Sequence, residues 1–132
     1  ALRLRLLCFT RAADPETDAR KLLAHLHNGR GFSGRIGAVF AGIPEAQTDP
    51  ARGFLTALAQ ASGDTFPVID YQRYTGRFAT ASAAAAGLAV CCMQQGFIPA
   101  GPAGKKALDL KHKSILMIHF GKSFSAMELF YQ

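Results

Sequence analysis

Hydrophobic and polar residues fall along this chain in blocks whose period switches between two and nearly four. Leu2, Leu4 and Leu6 alternate with Arg3 and Arg5 before the run turns continuously apolar, which predicts a strand over residues 2–9. A helix follows. Asp14 suits its N-cap, Pro15 its first position, and Glu16 and Asp18 the positive end of its dipole. Ala19, Leu22, Leu23 and Leu26 make one apolar face, and Asn28-Gly29 ends it. Residues 35–41 read as a short apolar strand. Asp49 and Pro50 then open a second helix, with Phe54, Leu55, Leu58 and Ala61 facing inward and Gly63 as the stop. Residues 66–70 predict a third strand. A third helix spans about Thr80 to Gln95 and ends at Gly96, and a loop through Pro99 and Pro102 follows. The sequence closes on a hairpin of Ser114–Phe120 and Ser123–Tyr131, with Gly121 where a type II′ turn requires it. On the return strand Phe124, Ala126, Glu128 and Phe130 share one face, and Ser125, Met127, Leu129 and Tyr131 the other.

The order is β-α-β-α-β-α-β-β. Helices alternating with strands imply right-handed crossovers and a mostly parallel sheet, and a strand that arrives through a hairpin runs antiparallel. The expected fold class is α/β, a five-stranded mixed sheet with helices on both faces and the last strand antiparallel. The third helix differs from the other two. Ala79 to Cys92 is rich in alanine and has no polar face, so it reads as a layer buried on every side, although the other predicted elements cover only one. Its about 14 residues fall short of the about 20 that a bilayer crossing needs.

Composition narrows the picture. The 132 residues are one domain's worth, 49% hydrophobic and 18% charged, which excludes a disordered segment. The start at Ala1 carries no initiating Met, signal or transit segment and suggests part of something longer. Three cysteines argue against a disulfide framework and for a reducing, cytoplasmic setting. Adjacent Cys91 and Cys92 diverge on a helix and make poor joint metal ligands, so no metal is expected. The net charge of +6 comes from scattered cations, with one cluster at Lys105, Lys106, Lys111, His112 and Lys113. No aromatic residues interleave with that cluster, so nucleic acid is a weak reading; the alternatives are a solvated loop or a docking surface for an acidic partner. His25 and His27 face different directions on the first helix, and His112 lies in the basic loop. His119 ends a strand, where site residues collect. No P-loop, zinc spacing or nucleophile elbow is present.

The segment Thr75-Gly76-Arg77-Phe78-Ala79-Thr80-Ala81-Ser82-Ala83 and the later Gln95-Gly96-Phe97-Ile98-Pro99 resemble the Gly-His turn, small-residue helix and "GFIP" of the β-ketoacyl synthases, in the thiolase-like fold. Phe120 to Ser125 is similar to that family's Phe-Gly-Phe-Gly-Gly-Thr turn, and Gly42 to Pro50 to the loop after its first catalytic His. The resemblance covers essentially the whole chain. It implies that residues 1–132 are the C-terminal lobe of such a protein, with the N-terminal lobe outside this chain and packed on the alanine-rich helix.

The resemblance also implies a chemistry, decarboxylative Claisen condensation. A Cys of the other lobe takes the acyl group, and two His stabilise the enolate. In this sequence the first His position falls on Ala41, the second on Arg77, and the family's Lys on Gln72. Ala41 donates no hydrogen bond, and a guanidinium exchanges no proton. His119, Gly121, Lys122 and Ser123 are the expected rim of the site, with Lys122 in place of a gatekeeping Phe. The expectation is a non-catalytic or chain-length-setting partner in fatty-acid or polyketide-type biosynthesis. It would need no cofactor and would bind its own N-terminal lobe, an acyl carrier protein, and an active synthase or a second copy as dimer partner. The alternative is a divergent acyltransferase or thioester hydrolase with a rebuilt site around His119 or Arg77.

Overall fold

A computed structural model describes residues 2–10, 14–27, 35–43, 48–62, 66–72, 81–101, 104, 106–120 and 123–131. The elements are β1 (Leu2–Thr10), α1 (Pro15–His27), β2 (Arg35–Gly42), α2 (Thr48–Ser62), β3 (Val68–Asp70), α3 (Ala81–Gln95), β4 (Phe97–Ile98), β5 (Leu108–Asp109), β6 (Lys113–Phe120) and β7 (Ser123–Tyr131). Five strands form one mixed sheet in the order β1-β7-β6-β2-β3. β2 runs parallel to β3 and to β6, while β7 is antiparallel to both β6 and β1. The expected α/β class, the five-stranded mixed sheet and the single antiparallel last strand are all present. The β4–β5 pair is an addition inside the predicted loop. Two paired residues per strand are too few to leave a periodic pattern.

Local chemistry sets the helix ends. Asp14 accepts the Glu16 amide N–H at 3.2 Å through Oδ1 and the Thr17 hydroxyl at 3.0 Å through Oδ2, the N-cap expected of it. α2 starts at Thr48, so Asp49 lies within the first turn instead of before it. Gly96 closes α3 in the left-handed region at φ 84°, and its N–H reaches the Cys92 carbonyl at 2.9 Å. β3 is shorter than expected because Pro67 brings no N–H to the ladder, although its carbonyl still accepts the Val39 N–H at 3.0 Å.

Two apolar cores lie on opposite faces of the sheet. On one face α1 and α2 pack together over Ile36, Val39, Ala41, Leu116, Ile118 and Phe120. Among the described side chains of α2, Ala51, Phe54, Ala57 and Leu58 are buried, whereas Ala61, expected inside, is exposed. On the other face α3 sets Ala85, Ala89, Cys92 and Met93 against Phe40, Ile115, Met117 and Leu129. Small side chains let the helix approach closely.

α3 is coiled as expected but, within this chain, is buried on one side only. Ala83, Ala84, Gly87 and Cys91 are exposed. The reason is supply, since the sheet covers one side of the helix and no described element covers the other. The same uncovered layer continues onto the sheet edge. By strand alternation Leu4 and Leu6 share the α3 side with half-buried Leu2, and they are 51% and 69% exposed. Arg5 points the other way, and its guanidinium donates to the His25 carbonyl in the last turn of α1. A cation is favoured at that helix end.

Candidate functional site

The parallel strands β2, β3 and β6 end together at Gly42, Asp70 and Phe120. Ligands of open α/β sheets collect at such carboxyl ends. The register sets Ala41 between Asp70 and Ile118, Gly42 beside His119, and His119 beside Ser125. Alternation sends Ala41 and Gly42 to opposite faces. Ala41 is fully buried in the α1/α2 core. Gly42 turns toward the α3 side, the side of Phe40 and Met117.

Tyr71 determines what Gly42 faces. The phenol is 2% exposed and packed in the α3 core, and its hydroxyl lies where a residue-42 side chain would start, 2.0 Å from an ideal Cβ. Burial, and then the Asp70 carboxylate next to it, push the Tyr71 hydroxyl above its ordinary range. It is therefore a neutral hydrogen-bonding group at physiological pH. The sign of the linkage follows. Above pH about 10 the unfolded chain loses a phenolic proton that the native state retains. The Tyr71 contribution is complete below that pH and is lost as pH rises through the folded value. Urea unfolding between pH 9 and 11 is expected to show stability falling with pH, and Tyr71→Phe is expected to flatten that slope.

Asp70 turns the chain after β3 by accepting the Gln72 N–H at 3.1 Å. Gln72 is half-buried, and its Oε1 is enclosed without a hydrogen-bond partner among the described residues. His119 is exposed at the end of β6, on the same face as Gly42 and Tyr71. Ser123 opens β7 opposite Thr10 in the backbone register. Arg77, Gly121 and Lys122 lie outside the described residues.

The edge thus carries His119 at the end of β6 and Tyr71 and Gln72 just after β3, whereas Ala41 faces the opposite core. An imidazole and a neutral phenol can hydrogen-bond a carbonyl or exchange a proton with it. A nucleophile is a separate matter. Cys92 is buried, and that burial, with Cys91 beside it, raises its thiol and disfavours the thiolate. Cys91 is exposed on the far side of α3. Tyr71 carries no signal in the sequence, because its role depends on a glycine 29 residues away that the β2–β3 pairing brings beneath it. Among the described residues no three His, Cys, Asp or Glu side chains converge as a metal would need, and no helix is long and apolar enough to cross a membrane. Comparison with protein-family models gives no match, and comparisons with curated proteins and with solved structures give none either.

Proposed function

We propose that this chain is the C-terminal lobe of a β-ketoacyl-synthase-like protein that does not run the two-His condensation. It would serve fatty-acid or polyketide-type biosynthesis as a non-catalytic or chain-length-setting partner, bound to an active synthase and to an acyl carrier protein. The observation that carries the reading is Ala41. The methyl of Ala41, the residue that the resemblance aligns with the first catalytic His, has no exposure and belongs to the core that holds Phe54, Leu116, Ile118 and Phe120. The order β-α-β-α-β-α-β-β of the helices and main-sheet strands, the one antiparallel strand of that sheet and the uncovered small-residue side of α3 support the ancestry, because a second lobe seated on that side would bury it.

The full-length protein, mixed with carrier-bound malonyl and acyl groups, is expected to form no condensation product on its own. Robust condensation by the protein alone, lost on Arg77→Ala, overturns the proposal. Ala41→His is expected to cost roughly 2–4 kcal/mol, because a larger and polar ring enters a filled apolar site. It is expected to confer no malonyl decarboxylation. Unchanged thermal stability together with new decarboxylase activity would show that residue 41 opens into a site.

His119 supports a second reading, a divergent acyltransferase or thioester hydrolase. Its exposed imidazole shares a sheet face with the neutral Tyr71 phenol. Acyl-thioester hydrolysis abolished by His119→Ala, with folding retained, would favour this reading over the first.

A further inference from the structure

The opposite end of the sheet carries a different chemistry. β2 and β6 start side by side, and their register sets Arg35 opposite Lys113. The turn into β6 adds Lys111 and His112, and the segment before β5 adds Lys106. Lys106, Lys111 and His112 are exposed, and Lys113 is half-buried. Asp109 is the sole acidic residue between Gly96 and Phe120 in the sequence, and its Oδ1 accepts the Lys111 backbone N–H at 3.1 Å. Among the described residues, no carboxylate forms an ion pair with these lysines. Gathering cations from segments distant in sequence without counter-charges costs stability through repulsion.

Two further features mark the same place. His112 holds φ 58°, in the left-handed region, while the Lys113 N–H closes the turn onto the Leu110 carbonyl at 3.0 Å. Glycine would adopt that φ without strain, so the imidazole is retained at a cost. Phe97 is 42% exposed and stands opposite Asp109 in the β4–β5 pair, two residues from Lys111. An exposed aromatic ring, on a strand pair whose second strand lies between Lys106 and Lys111 in sequence, offers an apolar anchor beside the cations. A single ring does not make the succession of stacking surfaces that single-stranded nucleic acid uses.

We propose that Lys106, Lys111, His112 and Lys113, together with exposed Phe97 of the adjoining β4–β5 pair, form a docking surface for an acidic protein segment with an apolar face. β6 separates it by about 25 Å from the carboxyl edge, at about 3.3 Å per residue over its 8 residues. The proposal is therefore independent of any chemistry at that edge and of the synthase reading.

The probe is a fluorescent amphipathic peptide of about 20 residues, built from Glu and Leu, titrated with the full chain and followed by anisotropy. Binding is expected to weaken as salt rises. Lys106→Glu with Lys111→Glu is expected to weaken it about tenfold or more, and Phe97→Ser by a similar factor. Lys21→Glu with Arg52→Glu, on exposed positions of α1 and α2, changes net charge equally and is expected to leave affinity within about twofold. His112→Gly is expected to raise the melting temperature while lowering affinity. Circular dichroism establishes that each variant is folded. An equal loss in the α1/α2 control overturns the proposal, because it reduces the effect to net charge. Tighter binding of a thymidine oligonucleotide or of phosphatidylserine vesicles, indifferent to Phe97→Ser, overturns it in favour of a phosphate partner.

Discussion

Phe54→Ala is expected to cost about 3–5 kcal/mol and to lower the thermal midpoint by roughly 10–20 °C. Phe54 is 2% exposed on α2, and its ring meets Phe120 edge to face, with centroids 5.3 Å apart and planes at 77°. Truncation removes the buried area and also the aromatic pair, which is worth about 0.5–1.5 kcal/mol beyond area. It leaves a void in the core that also holds Leu22, Leu23, Leu58 and Ile118, which sheet and helices prevent from collapsing. Domains of this size hold about 5–15 kcal/mol in total, so the loss is a large fraction. Urea and thermal denaturation measure it. A shift below about 1 kcal/mol would mean that α2 does not seat Phe54 against β6.

Gly42→Ala is expected to cost about 2–3 kcal/mol, in the range of overpacked cores. The new methyl would meet the Tyr71 hydroxyl at 2.0 Å and its ring carbon Cζ at 2.5 Å. A phenol at the end of a free side chain would swing aside, but this ring is 2% exposed and packed in the α3 core. Tyr71→Ala is also expected to destabilise, through its cavity. The double variant is expected to be more stable than the sum predicts, by about 1 kcal/mol or more, since each change removes the reason for the other's cost. Strict additivity in urea unfolding would show that Tyr71 does not lie over residue 42.

The element order was legible because its signals are local. Asp14-Pro15, Gly63, Gly96 and Gly121 punctuate the chain, and the apolar runs between them have clear periods. Facing was harder to read. The alternation of Leu2, Leu4 and Leu6 with Arg3 and Arg5 predicts a two-sided strand but does not say which side another layer covers. The uncovered side is the leucine side, because Arg5 reaches the end of α1. α3 likewise reads as apolar all round, while its degree of burial depends on what stands beside it. At the site, the spacing from Asp49-Pro50 located Ala41 but could not show that it faces the α1/α2 core. His119 was placed at a strand end by its position before the closing turn, and Gln72 was located by counting five residues back from Arg77. Tyr71 was not, because a contact between β2 and the end of β3 leaves no trace in either segment alone.

The position of β7 has a kinetic consequence. β7 lies between β1 and β6, so β1 has no hydrogen-bonded neighbour in the sheet until a strand from the far end of the sequence arrives. Pairings so remote make loop closure expensive before any reward, which slows folding. During synthesis on the ribosome, the leucine-rich β1 must wait as an unsatisfied ribbon while α1, β2, α2 and β3 emerge, and that interval is when the nascent chain is most exposed to aggregation and most in need of a chaperone.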